Sequence, residues 1–292
     1  SELILLTGAS GNVGSQVLRR LTARGERVRV LVRDPRRLGS ERVRVHIALG
    51  DLSEPASFRN ALRGVDTVVH LAASIRDQPR ASIEELNAVA TYRLLQAAER
   101  SGVERFVFFS ALGATLHSRA RFFRAKALAE QSVEESALAT TVFAPSIVYS
   151  PRDPWIRLLE RLSLLPAMPI SGSGRARYQP IWADDAAAAV MNALESRDGR
   201  DRYELAGPEI LSYDDMARET LRALRRRRRL VHLPLPAVRA GLRAVETLTG
   251  QNAFATWQEA ELMEVPMTTP RGTADAEALG VSPRAMREVL GA

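Results

Sequence analysis

Of the 41 lysine and arginine side chains in this chain, a single one, Lys126, is lysine. Drift toward arginine is the plain account of that bias, and what gives Lys126 meaning is its setting. It lies in Arg121-Phe-Phe-Arg-Ala-Lys-Ala-Leu-Ala-Glu130, a stretch of helical character that sets Phe122 four residues earlier on the same face. A compact ammonium beside a ring suits the sugar of a nucleotide, where arginine's planar fork would be larger and differently shaped.

The nucleotide has a place to bind at the other end of the chain. Leu3-Ile-Leu-Leu6 reads as a buried strand and runs into Thr7-Gly-Ala-Ser-Gly-Asn-Val-Gly14, after which Val17, Leu18 and Leu21 fall at helical spacing. In that strand, turn and helix context Gly8 permits the tight turn and Gly11 lets backbone N–H groups approach a pyrophosphate. Gly14 allows the helix to pack closely on the strand, and the helix N-terminus adds partial positive charge. The next strand, Val28–Val32, ends in Arg33-Asp-Pro-Arg-Arg37. Arg33 favours a ribose 2′-phosphate and hence NADP(H) over NAD(H), while the Asp34 carboxylate is the group that could still reach a 2′-hydroxyl; Arg36 and Arg37 read as solvated charges. Asp51, in Gly50-Asp-Leu52, could accept from an adenine amino group or cap the following helix, and Ala72 and Ala73 leave room for ribose and pyrophosphate.

These groups need a sheet to hold them. Segments 43–48, 66–73 and 105–109 read as further strands and 84–101 as a helix, which together imply an α/β Rossmann fold with a doubly wound parallel sheet. His46 and His70 sit in strand patterns and are expected to be packed or hydrogen-bonded. Asn87 is unusual inside a helix and is expected either to brace a loop near the site or to be a surface amide. Residues 1–145 form the expected dinucleotide-binding core. Residues 146–292 form a smaller α/β lobe for substrate or partner, from which about 176–205 return to the core, through helix 184–195 and strand 202–205, ahead of helix 213–224.

The chain of 292 residues is 46% hydrophobic and 26% charged, with no cysteine, so disulfides and thiolate metal sites are excluded and no metal is expected. The opening apolar run spans four residues without a basic leader, and no stretch nears the roughly eighteen apolar residues of a spanning helix. The expectation is a cytoplasmic protein. The net charge is +7, and Arg225 to Arg229 form a run expected as a solvated helix end. The sharper alternative is a contact with phosphates, anionic lipid or an acidic protein; specific nucleic-acid binding is not expected, because no aromatic residues interleave with the run. Apolar residues at helical spacing within 233–265, among them Leu233, Val238, Leu242, Val245, Leu248, Phe254 and Trp257, read as a lobe core, with a partner or membrane face as the alternative.

The ordered motifs resemble the short-chain dehydrogenase/reductase superfamily, particularly its extended and atypical branch, which includes NmrA-like proteins and the NADPH-binding accessory subunit of respiratory complex I. The resemblance covers most of the chain. It rests on Thr7 to Gly14, Gly50-Asp-Leu52, His70-Leu-Ala-Ala73, Phe106 to Gly113, Phe122 to Lys126, Ala144-Pro-Ser-Ile-Val-Tyr149, Gln179 to Asp185, Tyr203 to Pro208 and Leu279 to Pro283. It implies a dinucleotide contact set of Gly8, Ser10, Gly11, Asn12, Val13, Gly14, Arg33, Asp51, Leu52, Leu71, Ala72, Ala73, Ser110, Lys126, Pro145 and Ile147. It further implies, for family dimers, pairing through the helices that include 84–101 and 119–135; the oligomeric state of this chain is open.

In the family a tyrosine four residues before the lysine moves the proton and a serine after the fifth strand polarises the carbonyl. Here Phe122 stands in the tyrosine position and has no ionisable proton. The serine position falls on Ala111, with Ser110 one residue early and facing the other way. Substitute proton donors are His117, Ser118 and Tyr149. Three functions follow: an NADP(H)-binding structural or sensing protein, an NADP(H)-dependent oxidoreductase of quinone or enone reductase type using direct hydride transfer, or a basic scaffold with a vestigial dinucleotide site.

Overall fold

Leu3–Thr7 (β1) is buried at all five positions, as a strand covered on both faces must be. In this computed structural model, which describes residues 2–196, 200–249, 255 and 257–291, it is an interior strand of the main sheet. The other early strands are Arg27–Val32 (β2), His46–Leu49 (β3), Thr67–His70 (β4), Arg105–Phe109 (β5) and Ala139–Pro145 (β6). The later ones are Val148–Tyr149 (β7), Ala167–Ser171 (β8), Arg177–Tyr178 (β9), Ile181–Trp182 (β10), Arg202–Leu205 (β11), Leu211–Ser212 (β12) and Arg229–Leu233 (β13). The main sheet has seven parallel strands in the order β11-β6-β5-β4-β1-β2-β3. The order reverses between β1 and β4, the point at which an α/β sheet opens a crevice beyond its strand ends.

The helices are Asn12–Ala23 (α1), Ala56–Ala61 (α2), Ala90–Arg100 (α3), Arg121–Glu134 (α4), Pro154–Leu162 (α5), Ala183–Glu195 (α6), Tyr213–Ala223 (α7), Leu235–Thr249 (α8), Trp257–Leu262 (α9), Ala274–Ala278 (α10) and Met286–Leu290 (α11). On one face of the sheet α1 and α6 bury Val17, Leu18 and Leu21 against Ala186, Ala187 and Val190. On the other, α2, α3 and α4 bury Phe58, Leu94, Leu95, Ala129 and Val133. A separate apolar cluster around Tyr149, Met168, Tyr178, Tyr213 and Met216 fills the lobe. The chain re-enters the main sheet as β11, paired in parallel with β6, and α7 begins with a reciprocal cap between Ser212 and Asp215.

Three stretches depart from the sequence reading. Asp34 and Pro35 start two short 3₁₀ pieces, kinked at Gly39 and ending at Val43, so β3 begins only at His46. As an edge strand it leaves His46 exposed rather than packed, along with Ile47 and Leu49. The apolar residues of 233–265 do form helices, but α8 buries none of its side chains, and Leu248 is 86% exposed. The expected lobe core is a surface layer at α8, whereas Leu262, Met263 and Val265 do pack against the lobe cluster; Phe254 and the Trp257 side chain lie outside the described residues. The arginine run begins as the expected helix end, Arg225 at φ of 52° closing α7, but continues beyond it into β13.

Candidate functional site

Beyond the carboxyl ends of β1, β2 and β4 lies a cleft of about 700 Å³. Gly8, Ser10 and Gly11 line one wall, Arg33, Asp51 and Leu52 another, and Leu71, Ala72 and Ala73 a third. Two glycines make it possible. Gly8 has φ of +74°, and a Cβ there would come within 2.6 Å of the Ala72 nitrogen. A Cβ on Gly14 would fall 1.9 Å from the Gly8 carbonyl oxygen, so only glycine lets α1 approach the turn. The helix is capped by Gly11, which offers no side-chain acceptor, leaving first-turn N–H groups for an anion. Asn12 and Val13 lie behind this lining: Val13 is buried, while Asn12 donates to Asp153 at 3.3 Å and accepts from Ser150 at 3.1 Å, tying the glycine turn to the lobe.

Around the β2 end, charges are already sorted. Asp34 accepts from the Arg36 backbone N–H at 3.0 Å and from its guanidinium, and the Arg36 hydrogen bond holds its carboxyl below the usual range. Arg33 is 61% exposed, with Nη1 3.9 Å from the Asp51 carboxylate. Arg37, in the 3₁₀ segment that follows, also lines the cleft and so is more than a solvated charge. Asp51 accepts from Ser53 N–H at 2.9 Å, an Asx turn ahead of α2 rather than a helix cap.

The loop after β4 is braced from two sides. Asn87 is buried in a π-helical turn, Glu85–Val89, and clamps Ser74 by donating to its carbonyl at 2.6 Å and accepting from its N–H at 3.1 Å. Arg121 bridges Asp77 and Glu84, which holds both carboxyls below their ordinary values. Beneath the loop, His70 is 1% exposed. The Ala72 N–H donates to Thr7 Oγ1, which leaves the Thr7 proton for His70 Nδ1 at 2.6 Å; His70 Nε2 then donates to Thr91 Oγ1 at 2.9 Å, and Thr91 donates to the Asn87 carbonyl. This directional chain needs a neutral imidazole. Burial, assisted by the Lys126 charge, pushes the His70 pKa down to about 3.

Lys126 does not line the cleft. It is 3% exposed and donates to the Phe109 carbonyl at 2.7 Å, with Nζ 4.8 Å from the Phe108 ring centre and 5.8 Å from that of Phe122. Burial lowers its pKa to about 7, partly offset by Glu130. Ser110 also turns inward, its hydroxyl donating to Glu130, whose other oxygen accepts from Arg202 at 2.7 Å. Ala111, its neighbour, packs into the lobe cluster instead, as alternation along a strand requires. Sequence reading misses Glu130; four residues after Lys126 on one helix face, it carries the signal nonetheless.

Pro145 accepts from Leu112 N–H at 2.8 Å and Ile147 from Ile181 N–H at 3.0 Å, so both serve the β6 end and the lobe rather than the cleft wall. Of the substitute donors, His117 is exposed in a turn, Ser118 accepts from the Ala120 N–H, and Tyr149 is fully buried with its phenol pushed up by burial.

A family profile described as NAD(P)H-binding matches residues 8–171, the span that contains the glycine turn, the cleft and the Lys126 cluster. The chain belongs to this NAD(P)H-binding family. It is 29% identical over 252 residues to the NADH dehydrogenase [ubiquinone] 1 alpha subcomplex subunit 9 of Arabidopsis thaliana, covering 80% of this chain and 60% of that protein. It is 30% identical to the NAD(P)H azoreductase of Xenophilus azovorans, covering 74% of this chain and 71% of the relative. The solved structure of a nucleoside-diphosphate-sugar epimerase from Staphylococcus aureus superposes with a TM-score of 0.79 at 19% identity, covering 99% of each chain, which shows a shared fold. The chain is an atypical member of the short-chain dehydrogenase/reductase superfamily, and its ligand is a nicotinamide dinucleotide. The cleft suits that ligand, with a glycine cradle that a side chain would fill and a helix N-terminus for its phosphates.

Proposed function

We propose that this chain binds NADP(H) in preference to NAD(H) and holds it as a structural or sensing ligand for a protein assembly, without the family's standard reduction. The observation that carries the reading is the pair Phe122 and Lys126. A phenyl ring stands 5.8 Å from Nζ in the place where the family has an ionisable hydroxyl. The second hydroxyl near that spot, on Ser110, is committed to Glu130. Arg33 and Arg37 on the cleft wall supply the charge for a 2′-phosphate, while Asp34 is engaged with Arg36. A protein partner is supported by the Arabidopsis relative, which is a subunit of a larger complex; this chain spans 60% of that relative's length.

Calorimetric titration of the nucleotide-free protein with NADPH and NADH tests this. NADPH is expected to bind at least tenfold tighter, a difference of about 1.4 kcal/mol, and Arg33→Ala is expected to remove that difference while leaving NADH unchanged. NADPH oxidation with quinone, azo or enone acceptors is expected to stay at background. Turnover by the wild-type chain would replace this reading with that of a reductase, and absence of binding to either nucleotide would replace it with that of a vestigial site.

A further inference from the structure

We infer that the turn after α5, with the arginine run beside it, is a docking surface for an anionic lipid bilayer. Leu164 to Pro166 are exposed, Leu164 at 66% and Leu165 at 46%, an adjacent apolar pair in a turn that buries neither, while Ser163 behind them is buried. Two of the five consecutive arginines pin this turn in place. Arg226 donates to the Glu160 carbonyl at 3.2 Å and to Ser163 Oγ at 2.6 Å, and Arg228 donates to the Ser163 carbonyl at 2.9 Å. These cations sit on the carbonyl end of α5, where the helix dipole favours them.

The alternate arginines, Arg225, Arg227 and Arg229, face solvent, and so do Arg157 and Arg161 one turn apart on α5. Among the described residues, none of these five has a carboxylate within ion-pair distance. On the neighbouring α7, by contrast, Arg218 is neutralised by Asp215 and Arg222 by Glu219. Glu160 is the acidic residue of α5, and it pairs with neither Arg157 nor Arg161.

An exposed apolar pair on a turn that Arg226 and Arg228 tie to a run with unneutralised guanidinium groups matches the chemistry of a membrane surface. Leucines enter the acyl boundary while each arginine nearby gains from anionic headgroups. A single-stranded nucleic acid would call for exposed aromatic rings among the arginines, and the turn and the run contain none. Among the described residues no helix is long and apolar enough to cross a membrane, so the contact is peripheral.

Flotation of the full chain with vesicles tests the inference. At low salt the protein is expected to float with vesicles of phosphatidylcholine containing phosphatidylglycerol, and at least tenfold less with phosphatidylcholine alone, the difference shrinking as salt rises. Arg225→Gln with Arg227→Gln and Arg229→Gln is expected to weaken binding on the order of tenfold or more. Leu164→Ser with Leu165→Ser should weaken it severalfold at constant charge, and both variants should keep the wild-type melting midpoint and NADPH affinity. Equal flotation with neutral vesicles, or binding that survives the arginine changes, overturns the proposal. Loss with the arginine variant but not the leucine variant also overturns it, because the partner is then a soluble polyanion or an acidic protein face.

Discussion

The two ends of the strand row solve opposite problems. At the carboxyl ends of β1, β2 and β4 the chain removes side chains: Gly8, Gly11, Ala72 and Ala73 leave backbone donors and space, and the wall carries exposed arginines. At the ends of β5 and β6 the chain does the reverse, closing Lys126, Glu130, Ser110 and Arg202 on one another. A site made of backbone and empty volume is ready for a ligand with no rearrangement. A site made of buried charges that satisfy each other is stable only while every member is present. An open cleft and a closed cluster of mutually satisfied polar groups thus lie side by side along a single sheet edge.

The largest break in that contrast comes from adding one methyl group to the open end. Gly14→Ala sets a Cβ 1.9 Å from the Gly8 carbonyl oxygen, so α1 has to move off β1. The expected loss is roughly 3 kcal/mol of stability, together with dinucleotide binding. Chemical denaturation and calorimetry read both, and wild-type values would show that the turn relaxes freely.

The closed end is tested by Glu130→Gln, which removes the charge that faces Lys126, Arg202 and Ser110. Leaving those groups incompletely paired is expected to cost about 2 kcal/mol, again read by denaturation, with NADPH affinity changed far less than stability. An equal loss of affinity would mean the two ends work as one unit.

The same buried lysine is tested by pH. Lys126 releases its proton near pH 7 when folded, against 10.5 for an ordinary lysine, because burial opposes the charge. Between those values the unfolded chain holds more protons, so stability rises with pH across that window, and the burial penalty is fully present below it. The melting midpoint of the wild type is therefore expected to gain a few degrees on that of Lys126→Met between pH 7 and pH 10. A constant gap would place the ammonium in contact with water.

Much of the cleft was legible in the residues themselves. Gly8 to Gly14, Arg33, Asp51 and Ala72 are read from spacing because each role belongs to a local stretch of backbone, and the strands that carry them are short apolar runs bounded by turns. His46 shows the limit: its alternating neighbours have strand character, but edge position decides exposure. In the sequence Asn87 stands open between loop brace and surface amide, since the Ser74 it braces lies on a loop that only the folded chain brings near. The 233–265 stretch has helical periodicity, and periodicity says which face is apolar without saying whether anything covers it.

The sequence by itself determined the parallel α/β plan, the glycine cradle, a phenylalanine four residues before the lysine and the solitary lysine. These are properties of residue type, local spacing and backbone freedom, which need no distant partner. Only the tertiary structure decided that Lys126 turns inward to Phe109 and Glu130, that Ser110 follows it, that Arg37 joins the cleft wall and that α8 stays at the surface. Each of those outcomes depends on where a second element lies. Glu130 meets Arg202 only because β11 returns to pair with β6, 72 residues along the chain, and no local pattern encodes that meeting.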